Sequence, residues 1–416
     1  MSVKHKISLA SIFFIGLLFY GYEFFLRLIN GAYETQICSY FNLDSKIDYS
    51  FLVSSYSITY LIMQIPCGLI LDRFQSRYVV TFAILTCGIG NIIFLYPSYQ
   101  IAVFGRLLIG FGSAFAFIGV LKISREYFSS KHFSLLTSIA ISFGTLAGVF
   151  SQQITVLLSN IGVDWKIIFI SASLASIPLS LISFFVLAKN RNTEIKCFNE
   201  YSLSNYLSLA KNKLIWLNAL WSGFIHIPTV ILTTQFGVLF FSHIYGFNQY
   251  YSVQSITVIL FGWVVFSPVM VVLSKYFGIK QTVVFSSFLS LLILSMLTLK
   301  LEITSMNIMF VIFIFGCSSA SQILVWQSFN KFCKPEFAAL GIAMTNMIMT
   351  GITEMGQLAS GWIMDSSTLI KWFKSSGLIK QAVQINIMIF AFSIIVGIII
   401  FYICEINRQK IATVSL

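Results

Sequence analysis

Charge is what this sequence has least of. Only 10% of its 416 residues are Asp, Glu, Lys or Arg, against about 25% in ordinary soluble domains. A chain this long has too little polar side chain to cover a water-soluble core, which excludes a soluble globular protein. Histidine is scarce too. His5, His132, His226 and His243 form no cluster, which argues against a membrane-embedded enzyme and leaves no expected metal or cofactor. The seven cysteines contain no C-x-x-C pair and read as small buried side chains, not as a disulfide framework or metal site. The chain has no G-x-x-x-x-G-K-[ST] stretch, so nucleotide-driven chemistry is not expected.

Apolar sequence is what remains. Hydrophobic residues make up 57% of the chain and the mean hydropathy is +0.88. The apolar runs are too long, and apolar on too many faces, for the alternating ten-residue strands of a membrane barrel. They predict an all-α integral membrane protein with twelve transmembrane helices, at 7–30, 48–71, 78–96, 101–124, 132–158, 166–188, 214–243, 250–274, 281–299, 305–328, 337–366 and 382–404, each near the length that crosses a bilayer. Met1 to Lys6 precede a run too long for a signal peptide and without an A-x-A site, so it is read as the first span. The net charge of +12 does not point to nucleic acid. Most of the Lys and Arg fall in alternate short loops, the positive-inside pattern, which predicts both termini in the cytoplasm. Contact with anionic lipid headgroups is a secondary consequence.

The basic loop 189–213 splits the spans into an N-terminal six-helix bundle, 1–188, and a C-terminal one, 214–416. The halves repeat weakly. Pro66 to Phe74 aligns with Pro268 to Tyr276, each a proline followed by a polar–basic pair. Gly110 to Arg125 aligns with Gly316 to Lys331, and Gly144 with Gly351. Such a parallel repeat is one transporter plan. Spans 3, 6, 9 and 12 carry almost nothing polar beyond Ser, Thr and an occasional Asn or Gln and are expected to face lipid. The others carry polar stripes at helical spacing, among them Ser50, Ser54, Ser57 and Gln64 in span 2. Together these stripes imply a polar cavity.

The strongest stripe is in span 1. Tyr20, Glu23, Arg27, Asn30 and Glu34 recur every three or four residues and share one helix face. Ionised groups within a span are costly and mark function by default. Glu23 lies one turn before Arg27 and is expected to pair with it in the empty protein. That pair also has a rival reading, a structural lock between helices.

Between spans 2 and 3 runs Gly68-Leu-Ile-Leu-Asp72-Arg73-Phe-Gln-Ser-Arg77. It resembles the loop motif of the major facilitator superfamily, with Gln75-Ser76 standing where that motif often has a glycine. The resemblance implies a gate built from Gly68, Asp72, Arg73 and Arg77, with Glu126 as acidic partner. Arg106-Leu-Leu-Ile-Gly110 resembles a second motif of the superfamily, which implies a part for Arg106 in proton coupling or in organising the first bundle. Span 5 lacks the Gly-Pro of the drug-export antiporters. Tyr22 to Arg27, Gln64-Ile-Pro66 and Gly112 to Lys122 look like a narrower branch, the phagosomal-transporter-type facilitators of intracellular bacteria. That branch implies uptake of amino acids or nucleosides, or of carboxylate siderophores in its relatives.

The leading expectation is a monomeric secondary transporter of a bacterial inner membrane that imports a small polar metabolite by symport. An amino acid is favoured: carboxylate on the planar fork of Arg27, ammonium on Glu354 of span 11, side chain against Tyr20, Phe117 or Trp326. Asn30 and Gln357 are further candidate contacts. Glu23, Arg106, Glu354 and His226 are candidates for carrying the coupled proton. The rivals are a siderophore or polycarboxylate transporter lined by Arg27, Arg106 and Lys122, and a non-transporting nutrient sensor. The dozen residues after Cys404 offer little to signal with. Trp165, beside Lys166, is expected to anchor at the headgroups.

Overall fold

A computed structural model describes residues 3–43, 46–187, 211–298, 305–333, 338–365 and 378–414. Most of the loop 189–213 therefore lies outside the described residues. Those described are almost wholly helical. In chain order the helices are α1 (Val3–Leu28), α2 (Glu34–Tyr40), α3 (Lys46–Arg73), α4 (Ser76–Phe94), α5 (Tyr99–Tyr127), α6 (Ser130–Asn160) and α7 (Trp165–Val186). There follow α8 (Lys213–Ile231), α9 (Gly237–Tyr245), α10 (Gln249–Phe277), α11 (Ile279–Thr298), α12 (Ser305–Ser319), α13 (Leu324–Phe329), α14 (Ala338–Asp365) and α15 (Leu378–Val414).

Ten of the predicted spans each fall on one helix, while 214–243 and 305–328 fall on helices interrupted by a π-helical turn, Leu232–Phe236, and a 3-10 turn, Ala320–Ile323. Eleven helical stretches among the described residues are long and apolar enough to cross a membrane. The helix over the predicted eleventh span, α14, has 28 residues but falls outside that set, because Asn346, Thr350, Glu354 and Gln357 dilute its apolar surface. Ends are set by local chemistry. The Asp164 carboxylate accepts from the Lys166 amide at 2.9 Å to start α7, and Asn248 accepts from the Tyr251 amide at 2.9 Å to start α10, as N-caps do. Gly246 ends α9 at φ +68°, a backbone state that costs glycine nothing. Pro228 lies inside α8 and is followed by a π-helical turn, Leu232–Phe236. Proline removes one ladder hydrogen bond, and the widened turn re-forms the ladder beyond it.

The chain forms two compact units. Unit 1 is Met1–Ser208 with Cys333–Met344; unit 2 is Leu209–Phe332 with Thr345–Leu416. In unit 1, α5 packs on α3 and α4, and α1 packs on α5, α6 and α7. In unit 2, α8 packs on α15, and α10 on α12. Lipid offers no hydrophobic gain for bringing helices together, so close contact rests on small residues. A Cβ on Gly105 would stand 2.7 Å from the Gly90 carbonyl, where α4 meets α5. The repeat is visible in the same terms. A Cβ on Gly110 would stand 2.3 Å from the Tyr56 carbonyl, and one on Gly316 would stand 2.1 Å from the Ile259 carbonyl. The two aligned glycines thus make the same crossing in their respective units.

Spans 3, 6, 9 and 12 expose apolar side chains at helical spacing. Leu174, Ile177, Leu181 and Phe185 do so on α7, Phe285, Phe288 and Leu292 on α11, and Met388, Phe392, Ile395 and Ile399 on α15. Trp165 corrects an expectation. It is 5% exposed, with its ring among Tyr40, Phe94 and Phe169. The aromatic cluster claims it before the headgroups can. The cation beside it, Lys166, lies 4.0 Å from the Tyr40 ring centre.

Candidate functional site

The charged stripe of α1 becomes a site through what α3 and α5 bring to it. Gly110 admits the backbone of α3 at Tyr56, and Arg106, one turn earlier on α5, lies on the same face of its helix. Its guanidinium carbon is 5.1 Å from the centre of the Tyr56 ring. The side chain is 1% exposed and donates to the Leu26 carbonyl at 3.1 Å and the Val53 carbonyl at 3.3 Å. Arg106 therefore ties α1, α3 and α5 together and keeps little for a ligand.

Arg27 approaches the same ring, 5.9 Å from its centre, so Tyr56 serves two guanidiniums at cation–π distance. Tyr60, one turn on, stacks on Tyr56 at 5.9 Å and 16°. The Tyr56 hydroxyl donates to the Glu23 carboxylate, which is 1% exposed. The predicted Glu23–Arg27 ion pair is not formed. Among the described residues no carboxylate lies within 4.0 Å of Arg27, which is half-buried. The carboxylate is held by a phenol and the guanidinium by a ring.

Tyr20 packs edge-on against Phe24 at 5.1 Å and tilted by 40° against Phe117 at 5.4 Å. Its ring lies where a Cβ on Gly144 would be, 2.3 Å from Cε1. Asn30 is buried, its carbonyl accepting from the Tyr49 hydroxyl at 3.2 Å. Its side-chain amide has no hydrogen-bond partner among the described residues.

A second cluster gathers where α3 ends. The side chain of Asp72 is 2% exposed and accepts from the Ala339 amide at 3.1 Å and the Leu340 amide at 2.9 Å. It caps the first turn of α14, where acid and helix dipole agree. Gly68 permits this contact: a Cβ there would stand 2.8 Å from the Leu340 Cα. The cation joining the cluster is Lys122, 3.6 Å from Asp72 and 3.3 Å from Glu126, and it donates to the Leu71 carbonyl as well. Ser76 donates to Glu126 at 3.0 Å. Arg77 lies over Phe184, 3.6 Å from the ring centre, and Arg73 is exposed. Arg125 donates to the Cys333 carbonyl at 2.9 Å. Lysine thus takes the place beside Glu126 expected of an arginine.

The remaining candidates belong to unit 2. His226 is half-buried, stacked on Trp263 at 5.8 Å and 18°. Trp326 is fully buried against Phe329. On α14, Glu354 is exposed and Gln357 half-buried. Asn218 and Ser222 of α8 spend their hydrogen bonds on the Val325 carbonyl and on Gln322. Ser274, aligned with Asp72, donates to Gln327 at 2.6 Å. Partial burial makes Lys331, beyond the end of α13, less basic than a free lysine; Arg408 adds to this and Glu405 opposes it. No group of three metal-ligating side chains occurs among the described residues.

Sequence reasoning missed Tyr56, and it placed Lys122 in a substrate lining and not beside Asp72 and Glu126. In α3 it followed the serines, yet Ser54 and Ser57 are exposed. The face that reaches the charged stripe is Tyr56, Tyr60 and Gln64, spaced by four, and that spacing was its available signal.

A family model described as the Major Facilitator Superfamily matches residues 9–356. Among solved structures, a bacterial homologue of the human lysosomal transporter Spinster, inward-facing and unoccupied, superposes with TM-score 0.59 at 13% identity, covering 99% of both chains. FucP, a Major Facilitator Superfamily transporter in the outward conformation, superposes with TM-score 0.64 at 12% identity, covering 93% of this chain and 99% of its own. Among curated proteins, no sequence relative matches the chain.

Proposed function

Since the chain belongs to the major facilitator superfamily, and is thereby a multi-pass membrane transporter and not an enzyme, we propose that its cargo is a small metabolite recognised by its carboxylate, an amino acid above all. The observation that carries this is Arg27. Its guanidinium is half-buried within a membrane helix, steadied over Tyr56, and has no carboxylate of the described residues within 4.0 Å. A planar fork with donors to spare in a low-dielectric setting is a carboxylate receptor.

The polycarboxylate reading is weaker. It needs three cations, but Arg106 is spent on carbonyls and Lys122 on Asp72 and Glu126. Glu23 is the acid we assign to the coupled proton, because a buried carboxylate beside a phenol can be held in either protonation state. The proposal places a monomer in a bacterial inner membrane, importing by symport, with both termini cytoplasmic.

The test is uptake of labelled amino acids into vesicles. Arg27→Gln and Arg27→Lys should each cut uptake about tenfold or more at unchanged protein level. Normal transport by both variants rejects the reading. Glu23→Gln should lose accumulation driven by a pH gradient while keeping substrate exchange. Wild-type uptake that ignores an imposed pH gradient rejects the proton.

A further inference from the structure

Glu23 and Arg27 stand one turn apart on one helix, the spacing at which Glu and Arg pair by default. In this structure no ion pair within 4.0 Å joins them. Glu23 instead accepts the hydroxyl of Tyr56, and the ring of the same tyrosine lies under Arg27. Tyr56 cannot easily follow either partner. It is 1% exposed, its backbone is clasped by Gly110, and its ring is braced by Arg106 and Tyr60. Arg106 is itself fixed by two carbonyls.

We propose that Tyr56 is a positioning residue whose hydroxyl holds the Glu23 carboxylate away from Arg27, so that the guanidinium is kept open for an incoming carboxylate. This rests on the reading of Arg27 as the carboxylate receptor. It adds the device that stops the protein from inhibiting itself with its own acid. The phenol can do this in both states of Glu23. It donates to the carboxylate, and when Glu23 takes up a proton the phenol oxygen can accept from the new O–H. Neither state then forces Glu23 onto Arg27.

Removing the hydroxyl while keeping the ring should release Glu23 to Arg27. A ligand-free readout is the rate at which phenylglyoxal, an arginine reagent, modifies Arg27 in the purified protein, followed by peptide mass spectrometry. Wild type should react at Arg27, with buried Arg106 as the slow internal reference. Tyr56→Phe should slow modification of Arg27 about tenfold, the worth of one charge-assisted ion pair. The double variant Tyr56→Phe, Glu23→Gln should restore the rate to about the wild-type level. A merely structural role for Tyr56 gives no such rescue.

Wild-type-like modification in Tyr56→Phe overturns the proposal. So does slowing that Glu23→Gln fails to reverse, and so does a wild-type Arg27 as unreactive as Arg106. None of these outcomes depends on knowing the cargo. Failure of the receptor reading is seen separately, as normal uptake by Arg27→Gln.

Discussion

Tyr20 owes its position to an absence one helix away. With Gly144 replaced by alanine, the new methyl would overlap the Tyr20 ring, and the ring or α6 must give. Overpacking of this kind costs about 1–3 kcal/mol. Gly144→Ala should therefore lower the melting temperature in detergent, and the paired change Tyr20→Leu should recover part of the loss. Gly351, aligned with Gly144 in the repeat, has open space around its would-be Cβ, and Gly351→Ala should be close to neutral. At this scale the sequence was legible for charge and illegible for partnership. Glu23, Arg27 and Arg106 stand out as ionised groups in apolar runs. That a tyrosine would intervene between the first two depends on the Gly110 crossing, a tertiary fact that helical spacing within α1 cannot express.

Among elements, the first turn of α14 is the most exactingly held. Two amides meet one carboxylate that is itself braced by Lys122. Asp72→Ala should cost about 0.5–2 kcal/mol from the cap alone, read as a lower melting temperature. A double-mutant cycle with Lys122→Met should show coupling of about 1 kcal/mol, since both residues serve one network. Where the long helices run was readable, because their length is set by the bilayer and their pattern by burial, but the turns that interrupt the predicted spans 214–243 and 305–328 were not. Local end chemistry was less readable. Asp164 and Asn248 are recognisable caps, but nothing in the local pattern marks Asp72 as the cap of a helix that begins 266 residues later. The resemblance drew attention to the loop after α3, whereas the cation beside Asp72 comes from α5, not from the loop.

For the whole molecule, the basic residues predict orientation. A reporter that fluoresces only in the cytoplasm should light when fused after Leu416 and stay dark when fused in the turn between α4 and α5. The reverse result would invert the assignment of both termini. The internal repeat was also legible, and the paired glycines Gly110 and Gly316 give it physical meaning. Gly110→Ala and Gly316→Ala should destabilise to a similar extent, about 1–3 kcal/mol each, because each admits a carbonyl at nearly the same distance.

The repeat is not electrically even. Where unit 1 has Asp72 with Lys122, Ser274 at the aligned end of α10 in unit 2 makes only neutral contacts among the described residues, with Gln327 and the Val271 carbonyl. The first is a buried ion pair, which added salt screens far less than an exposed one, and the second carries no charge. Two aligned helix ends are thereby held by different physics. Removing either charge in unit 1 therefore strands its partner in a buried setting, whereas Ser274 or Gln327 can be replaced without leaving a charge behind.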